Sequence, residues 1–69
     1  MANYLLIGAC EGKPVFKQEY RINPYGELEF KLYHNKDGWR VSEFDSIKKA
    51  FEYYAKEYDV LTVMELPSD

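Results

Sequence analysis

The sequence predicts a single small α+β domain, in which one antiparallel sheet of four to five strands carries one amphipathic helix on one face. Five short segments have the alternation or β-branched content of strands, one segment repeats apolar residues at helical spacing, and turn residues separate them. The chain of 69 residues has room for one domain only, residues 1–69. Its hydrophobic fraction of 46% is enough for one core and too high for a disordered chain.

The first three predicted strands differ in how their side chains alternate. Residues 3–10 (NYLLIGAC) are apolar at consecutive positions, as in a central strand that is covered on both faces. Residues 15–22 (VFKQEYRI) and 27–34 (ELEFKLYH) alternate apolar with charged side chains. That pattern indicates strands with one buried face and one wet face.

The turn between the second and third strands predicts their register. Pro24 favours a type I turn and Gly26 supplies the left-handed position of a G1 bulge, so the loop has three residues and Asn23 faces Glu27. Opposite charges then meet on one face and apolar side chains on the other. The predicted pairs are Arg21 with Glu29, Glu19 with Lys31, Tyr20 with Phe30, and Ile22 with Leu28.

The other two hairpin turns are less informative. Residues 35–38 (NKDG) predict a four-residue loop that leads into a strand over residues 39–44. The pairs that follow are Trp39 with His34, Arg40 with Tyr33, and Val41 with Leu32. The loop of residues 11–14 allows two registers between strands one and two. Either of the two alternating sets of side chains on strand one can therefore face away from the helix.

A helix and a fifth strand complete the chain. Apolar residues recur at helical spacing on one face, at Ile47, Ala50, Phe51, Tyr54, Ala55 and Tyr58, and Asp45 or Ser46 can cap the helix. Residues 60–66 (VLTVMEL) are β-prone, and Pro67 ends them. A helix that crosses one sheet delivers strand five beside strand one, which gives ββββαβ topology with strand order 5-1-2-3-4. One helix covers one face, so the other face of the sheet is open.

Few residues are suited to catalysis or metal binding. His34 is the only histidine and Cys10 the only cysteine, whereas a zinc site needs about four ligands. Glu27 and Glu29 share a strand face, but a solvated charged face explains them better than an acid/base pair. The glycines form no phosphate-binding pattern. We therefore expect a protein that is not an enzyme and has no cofactor and no metal site.

Charge and cysteine content indicate the compartment and the class of partner. The net charge of −3 comes from interspersed signs, which does not favour nucleic acid as a partner. A single cysteine forms no intrachain disulfide, and no signal peptide or membrane-length apolar segment is visible. We expect a cytoplasmic protein that does not bind a membrane.

These observations favour a non-catalytic protein-binding module whose partner, another protein or a second copy in a homodimer, docks on the open sheet face. Strands one and five would supply apolar contacts, and a polar rim would flank them; the predicted contact residues are Tyr4, Leu6, Leu61, Val63, Tyr33 and Arg40. The alternative is a single-stranded nucleic-acid-binding domain, in which aromatic side chains of the open face stack on bases. Acidic residues on the same face oppose that alternative.

No family motif is present, and the likeness to known proteins is one of layout. The strands-then-helix order, with DSIKKAFEYY entering the helix, resembles small phage-encoded inhibitors of host proteins and the sheet-and-helix domain of some antitoxins. The resemblance implies a small inhibitor or regulator from a phage or mobile element. Layouts of this kind are shared by proteins of unrelated function.

Overall fold

The computed structural model describes residues 3–32 and 38–67, which contain five strands and one helix. The strands are β1 (Asn3–Ala9), β2 (Phe16–Ile22), β3 (Leu28–Lys31), β4 (Trp39–Val41) and β5 (Val60–Leu66), and the helix α1 (Ile47–Tyr54) lies between β4 and β5 in the chain. All neighbouring strands are antiparallel, and they form one sheet in the order β4-β3-β2-β1-β5. The predicted α+β class and strand order are therefore confirmed.

The β2–β3 hairpin has the predicted three-residue loop. The Asn23 N–H donates to the Glu27 carbonyl at 2.9 Å, and the Gly26 N–H donates to the Asn23 carbonyl at 2.9 Å. Gly26 has a φ of 83°, the left-handed conformation that a G1 bulge requires. The cross-strand pairs Tyr20 with Phe30, Arg21 with Glu29, and Ile22 with Leu28 follow as predicted.

The predicted pairing of β3 with β4 is wrong. Trp39 lies opposite Lys31 rather than His34, a shift of three residues along β3. The Leu32 N–H donates to the Gly38 carbonyl at 2.7 Å, so Gly38 belongs to the paired segment and not to a four-residue loop. The rest of that loop, residues 33–37, lies outside the described residues.

The odd shift exchanges the two faces of β4, because side chains alternate along a strand. Arg40 now lies opposite Phe30, on the side of the sheet that α1 covers, which we call the helix side. Trp39 shares the other side, the open side, with Arg21, whose guanidinium carbon lies 4.3 Å from the centre of the indole ring. A cation over an aromatic face is a favourable contact, and it accounts for the half-buried Trp39 side chain on the open side.

The β1 register settles which side chains point to the helix. Tyr4 lies opposite Tyr20, Leu6 opposite Gln18, and Gly8 opposite Phe16. Leu6 is fully buried with Ala50 of α1, so Tyr4, Leu6 and Gly8 face the helix side. A Cβ at Gly8 would lie 2.8 Å from the Tyr58 ring, so the absence of a side chain there lets Tyr58 pack onto β1.

The helix is shorter than its apolar repeat. Ser46 caps it, with its Oγ accepting the Lys49 N–H at 3.3 Å, and the regular helix ends at Tyr54. Residues 55–57 form a turn in which Ala55 is exposed, contrary to its predicted place on the apolar face. Tyr58 keeps its predicted contact with the sheet through Gly8.

The core lies between α1 and the helix side of the sheet. Its buried members are Leu6, Tyr20, Leu28 and Ala50, and a ring of partly buried side chains surrounds them: Tyr4, Phe16, Phe30, Phe44, Ile47, Phe51, Tyr54 and Leu61. The backbone of α1 runs closest to β1 and β5. The open side of the sheet has no helix over it among the described residues.

Candidate protein-binding surface

The open side of the sheet divides into a charged half and an apolar half. The charged half lies on β2 and β3 and consists of Lys17, Glu19, Arg21, Glu29 and Lys31. The apolar half lies on β1 and β5, and we call it the apolar patch: Leu5, Ile7, Val60, Met64 and Leu66. Because Leu5 lies directly opposite Met64, the contributions of the two strands are contiguous.

The apolar patch is accessible. Val60 is 62% exposed and Met64 is 48% exposed, and Leu5, Ile7 and Leu66 are partly buried. Single exposed apolar side chains are ordinary on protein surfaces, but a contiguous group on one sheet face is the usual mark of an interaction surface.

Two charges of the charged half, Arg21 and Glu29, bind each other. Arg21 Nε donates to Glu29 Oε1 at 2.7 Å, and Asn23 Nδ2 donates to the second carboxylate oxygen of Glu29 at 3.2 Å. These hydrogen bonds, first that from Arg21 and then that from Asn23, hold the pKa of Glu29 below its usual value. With Trp39 stacked on Arg21, these four side chains form one polar network in the charged half.

The β5 strand forms an edge of the sheet along its full length. It pairs with β1 on one side and, within the part of the chain that the structure describes, with no strand on the other. Its seven residues include one charge, Glu65, and five large apolar side chains. Natural edge strands are usually protected by charged side chains, proline, bulges or shortness; β5 has seven residues, and Glu65 is its one charged side chain.

The structure moves the predicted contact residues of strands one and five. Leu6 is fully buried, so its prediction as a contact residue is wrong, and Tyr4 is half-buried beside it on the helix side. Leu61 packs against the core, and Val63, 42% exposed, lies on the helix side of the β5 edge. Because consecutive residues of β1 and β5 are apolar, the sequence did not reveal which of their side chains point to the open side.

The predicted polar rim does not form as expected. Tyr33 lies outside the described residues, and Arg40 is exposed but lies opposite Phe30, on the helix side. Trp39 occupies the open side instead. Sequence reasoning missed Trp39, and the Arg21 it stacks on was assigned only to a pair with Glu29.

A cavity of about 360 Å³ opens on the helix side beyond the end of α1. Its lining is mostly aromatic and polar: Gln18, Tyr20, Phe30, Val41, Ser42, Glu43, Phe44 and Tyr54. Burial is the main cause that raises the pKa of Tyr20, and burial likewise raises the pKa of Tyr54. Both phenols are therefore neutral at pH 7 and unsuited to act as bases there.

The described residues contain neither a metal-binding cluster nor a membrane-spanning helix. Within residues 3–32 and 38–67, no three His, Cys, Asp or Glu side chains are grouped closely enough to hold a metal ion. In the same residues, no helix combines the length and the apolar character needed to cross a bilayer. His34 lies outside the described residues.

Comparison with known proteins adds no relative: no family model matches the chain, and neither a curated protein nor a solved structure is similar enough to count as a match.

Proposed function

We propose that this protein is a non-catalytic protein-binding module that docks a protein partner on the β1–β5 half of its open sheet face. The observation that carries the proposal is the apolar patch, in which side chains of two adjacent strands lie side by side with two of them about half exposed or more. Such a module acts by occupying the surface of its partner, as an inhibitor or regulator does, in a reducing compartment such as the cytoplasm.

The contrast between the two halves of the open side supports this location. Arg21 and Glu29 already bind each other, so a partner that covered them would gain little from either charge. The apolar patch has no such internal partner, and removing its side chains from water stabilises a complex by roughly 25 cal/mol per Å² of apolar area. The patch is therefore the half of the face where docking is most favourable.

The corrected β4 register weakens the nucleic-acid alternative. That alternative needs aromatic and basic side chains on the open side, but Arg40, one of the predicted contact residues, lies on the helix side. The open side keeps Glu19 and Glu29, which repel phosphates.

The test compares two lysine substitutions at equally exposed apolar positions on opposite edges of the sheet. Met64→Lys changes the apolar patch, and Val41→Lys changes the β4 edge; the two side chains are 48% and 49% exposed. Each variant and the parent are immobilised and used to capture proteins from a lysate, with mass spectrometry of the bound fraction and circular dichroism to confirm the fold.

We expect the parent and Val41→Lys to capture the same proteins, and Met64→Lys to lose them at least ten-fold. Equal capture by all three folded proteins would contradict the proposed surface. Retention of the parent on a single-stranded oligonucleotide, weakened by salt, would instead support the nucleic-acid alternative.

A further inference from the structure

We infer that the β5 edge pairs with the β5 edge of a second copy of this chain, so that the two five-stranded sheets join into one across a two-fold axis. The inference rests on the proposed function and names a second copy as a partner, at the sheet edge that borders the apolar patch. It predicts the register of the contact, with Val63 on the two-fold axis.

The edge itself supplies the first argument. Along β5, the backbone N–H and C=O groups that point away from β1 have no strand partner among the described residues. The opposite edge, β4, has three residues, and a strand that short offers little for another chain to pair with. Sheet extension is therefore favoured at β5 and not at β4.

The β5 sequence complements itself when two copies run antiparallel with Val63 facing Val63. The remaining pairs are then Thr62 with Met64, Leu61 with Glu65, and Val60 with Leu66. All seven residues of each strand are paired, and Pro67, which has no N–H to donate, falls just outside. The two residues of each pair are both odd-numbered or both even-numbered, so their side chains point to the same side of the joined sheet and the open sides of the two copies lie on one face.

The number of paired residues and the position of Glu65 together select this register over its neighbours. With Val63 on the axis, each Glu65 faces an apolar Leu61. A slide that puts Glu65 on the axis sets two carboxylates directly opposite each other, which is destabilising, and leaves residues 60–63 without a partner in the other β5 strand. A slide that centres Thr62 or Met64 also leaves part of the seven-residue strand without a partner.

Continuity with the apolar patch supplies the last argument for a second copy. In this register Val60 of one copy lies beside Leu66 of the other on the open side, so the two patches merge across the axis. The contact area of one strand pair and its flanking side chains is at the small end for specific complexes. We therefore expect a dimer that dissociates on dilution.

The test introduces one cysteine at a time into a chain in which Cys10→Ser has removed the native thiol. In Val63→Cys the two thiols meet on the axis, at a Cα separation of about 4.5–5.5 Å that suits a disulfide. Met64→Cys is the matched control, since residues 63 and 64 are 42% and 48% exposed and differ in distance from the axis. Mild oxidation is followed by non-reducing electrophoresis.

We expect Val63→Cys to form a cross-linked dimer at least ten times faster than Met64→Cys. We also expect sedimentation velocity to give twice the monomer mass for the parent at high concentration and the monomer mass for Val63→Lys, which sets two lysines on the axis. Equal or reversed cross-linking rates would overturn the register, and a parent that stays monomeric up to about 1 mM would overturn the dimer.

The two proposals fail separately. Val63→Lys leaves the apolar patch of the open side unchanged, whereas Met64→Lys alters it. If the chain is monomeric while the parent and Val63→Lys capture the same protein and Met64→Lys does not, the protein-binding function stands and self-pairing is wrong. If the dimer forms with Val63 on the axis and all variants capture the same proteins, self-pairing stands and the proposed docking surface is wrong.

Discussion

The side chain of Asn23 holds the β2–β3 turn together, and its removal is the sharpest test of the fold. Asn23 is 8% exposed and is a buried polar residue. Its Oδ1 accepts the N–H groups of Tyr25 and Glu27, both at 2.9 Å. Its Nδ2 donates to the carboxylates of Glu27 at 3.3 Å and Glu29 at 3.2 Å.

Asn23→Ala removes all four hydrogen bonds. Two backbone N–H groups lose short, well-formed bonds at about 1 kcal/mol each, and the two longer bonds add less, so the expected loss is about 2–3 kcal/mol. A chain of 69 residues has about 3–10 kcal/mol of stability at roughly 0.05–0.15 kcal/mol per residue. The loss corresponds to a fall in Tm of about 10–20 °C.

Thermal and urea unfolding followed by circular dichroism measure this effect. The matched control is Tyr25→Ala in the same loop, whose side chain is 87% exposed and whose removal should leave Tm unchanged. Asn23→Asp keeps the acceptor but sets a carboxylate about 3.3 Å from those of Glu27 and Glu29, so it should regain stability as the pH is lowered. A Tm of Asn23→Ala within about 2 °C of the parent would refute the reasoning.

Three further outcomes follow from other positions. Gly8→Ala places a Cβ 2.8 Å from the Tyr58 ring and should destabilise the fold by about 1–3 kcal/mol. In a double-mutant cycle, Tyr58→Ala removes the ring and should therefore abolish the clash that Gly8→Ala causes. Gly26→Val should cost about 1–3 kcal/mol in urea unfolding, because φ is 83° there; an unchanged midpoint would contradict the turn. The hydrogen bond from Arg21 is the main cause that lowers the pKa of Glu29. The pair therefore stabilises the fold above the usual carboxyl pKa of 4.5, and this stability is lost as the pH falls through the lower pKa of the folded state. Arg21→Gln should reduce that acid-dependent loss of stability.

Local turn chemistry made the β2–β3 hairpin predictable from the sequence. Pro24 and Gly26 determine both the loop length and its backbone conformation, and the resulting register satisfies charges on one face and apolar groups on the other. The sequence showed that Asn23 begins the turn, but not that its side chain accepts two backbone N–H groups.

The pairing of β4 was not predictable in the same way. Residues 35–38 contain good turn formers, and the short loop they suggested also placed Val41 opposite the apolar Leu32. The structure places Trp39 on the open side, over Arg21, a contact between distant segments that no local pattern reveals. One residue in the sequence, Gly8, indicates which side chains of β1 face the helix. The Tyr58 ring approaches Gly8 closely, and Leu6, two residues before Gly8, points to the same helix side.

The pairing of β1 with β5 also determines the order in which the fold can be completed. Asn3 lies opposite Leu66, so β1 receives its second neighbour only when the last strand is in place. Such long-range pairing slows folding, because a large loop must close before the contact forms. During synthesis on a ribosome, β1 through β4 emerge while one edge of β1, with Leu5 and Ile7, is still unpaired. Until β5 pairs with it, the backbone N–H and C=O groups along that edge of β1 are open to chaperones and other nascent chains.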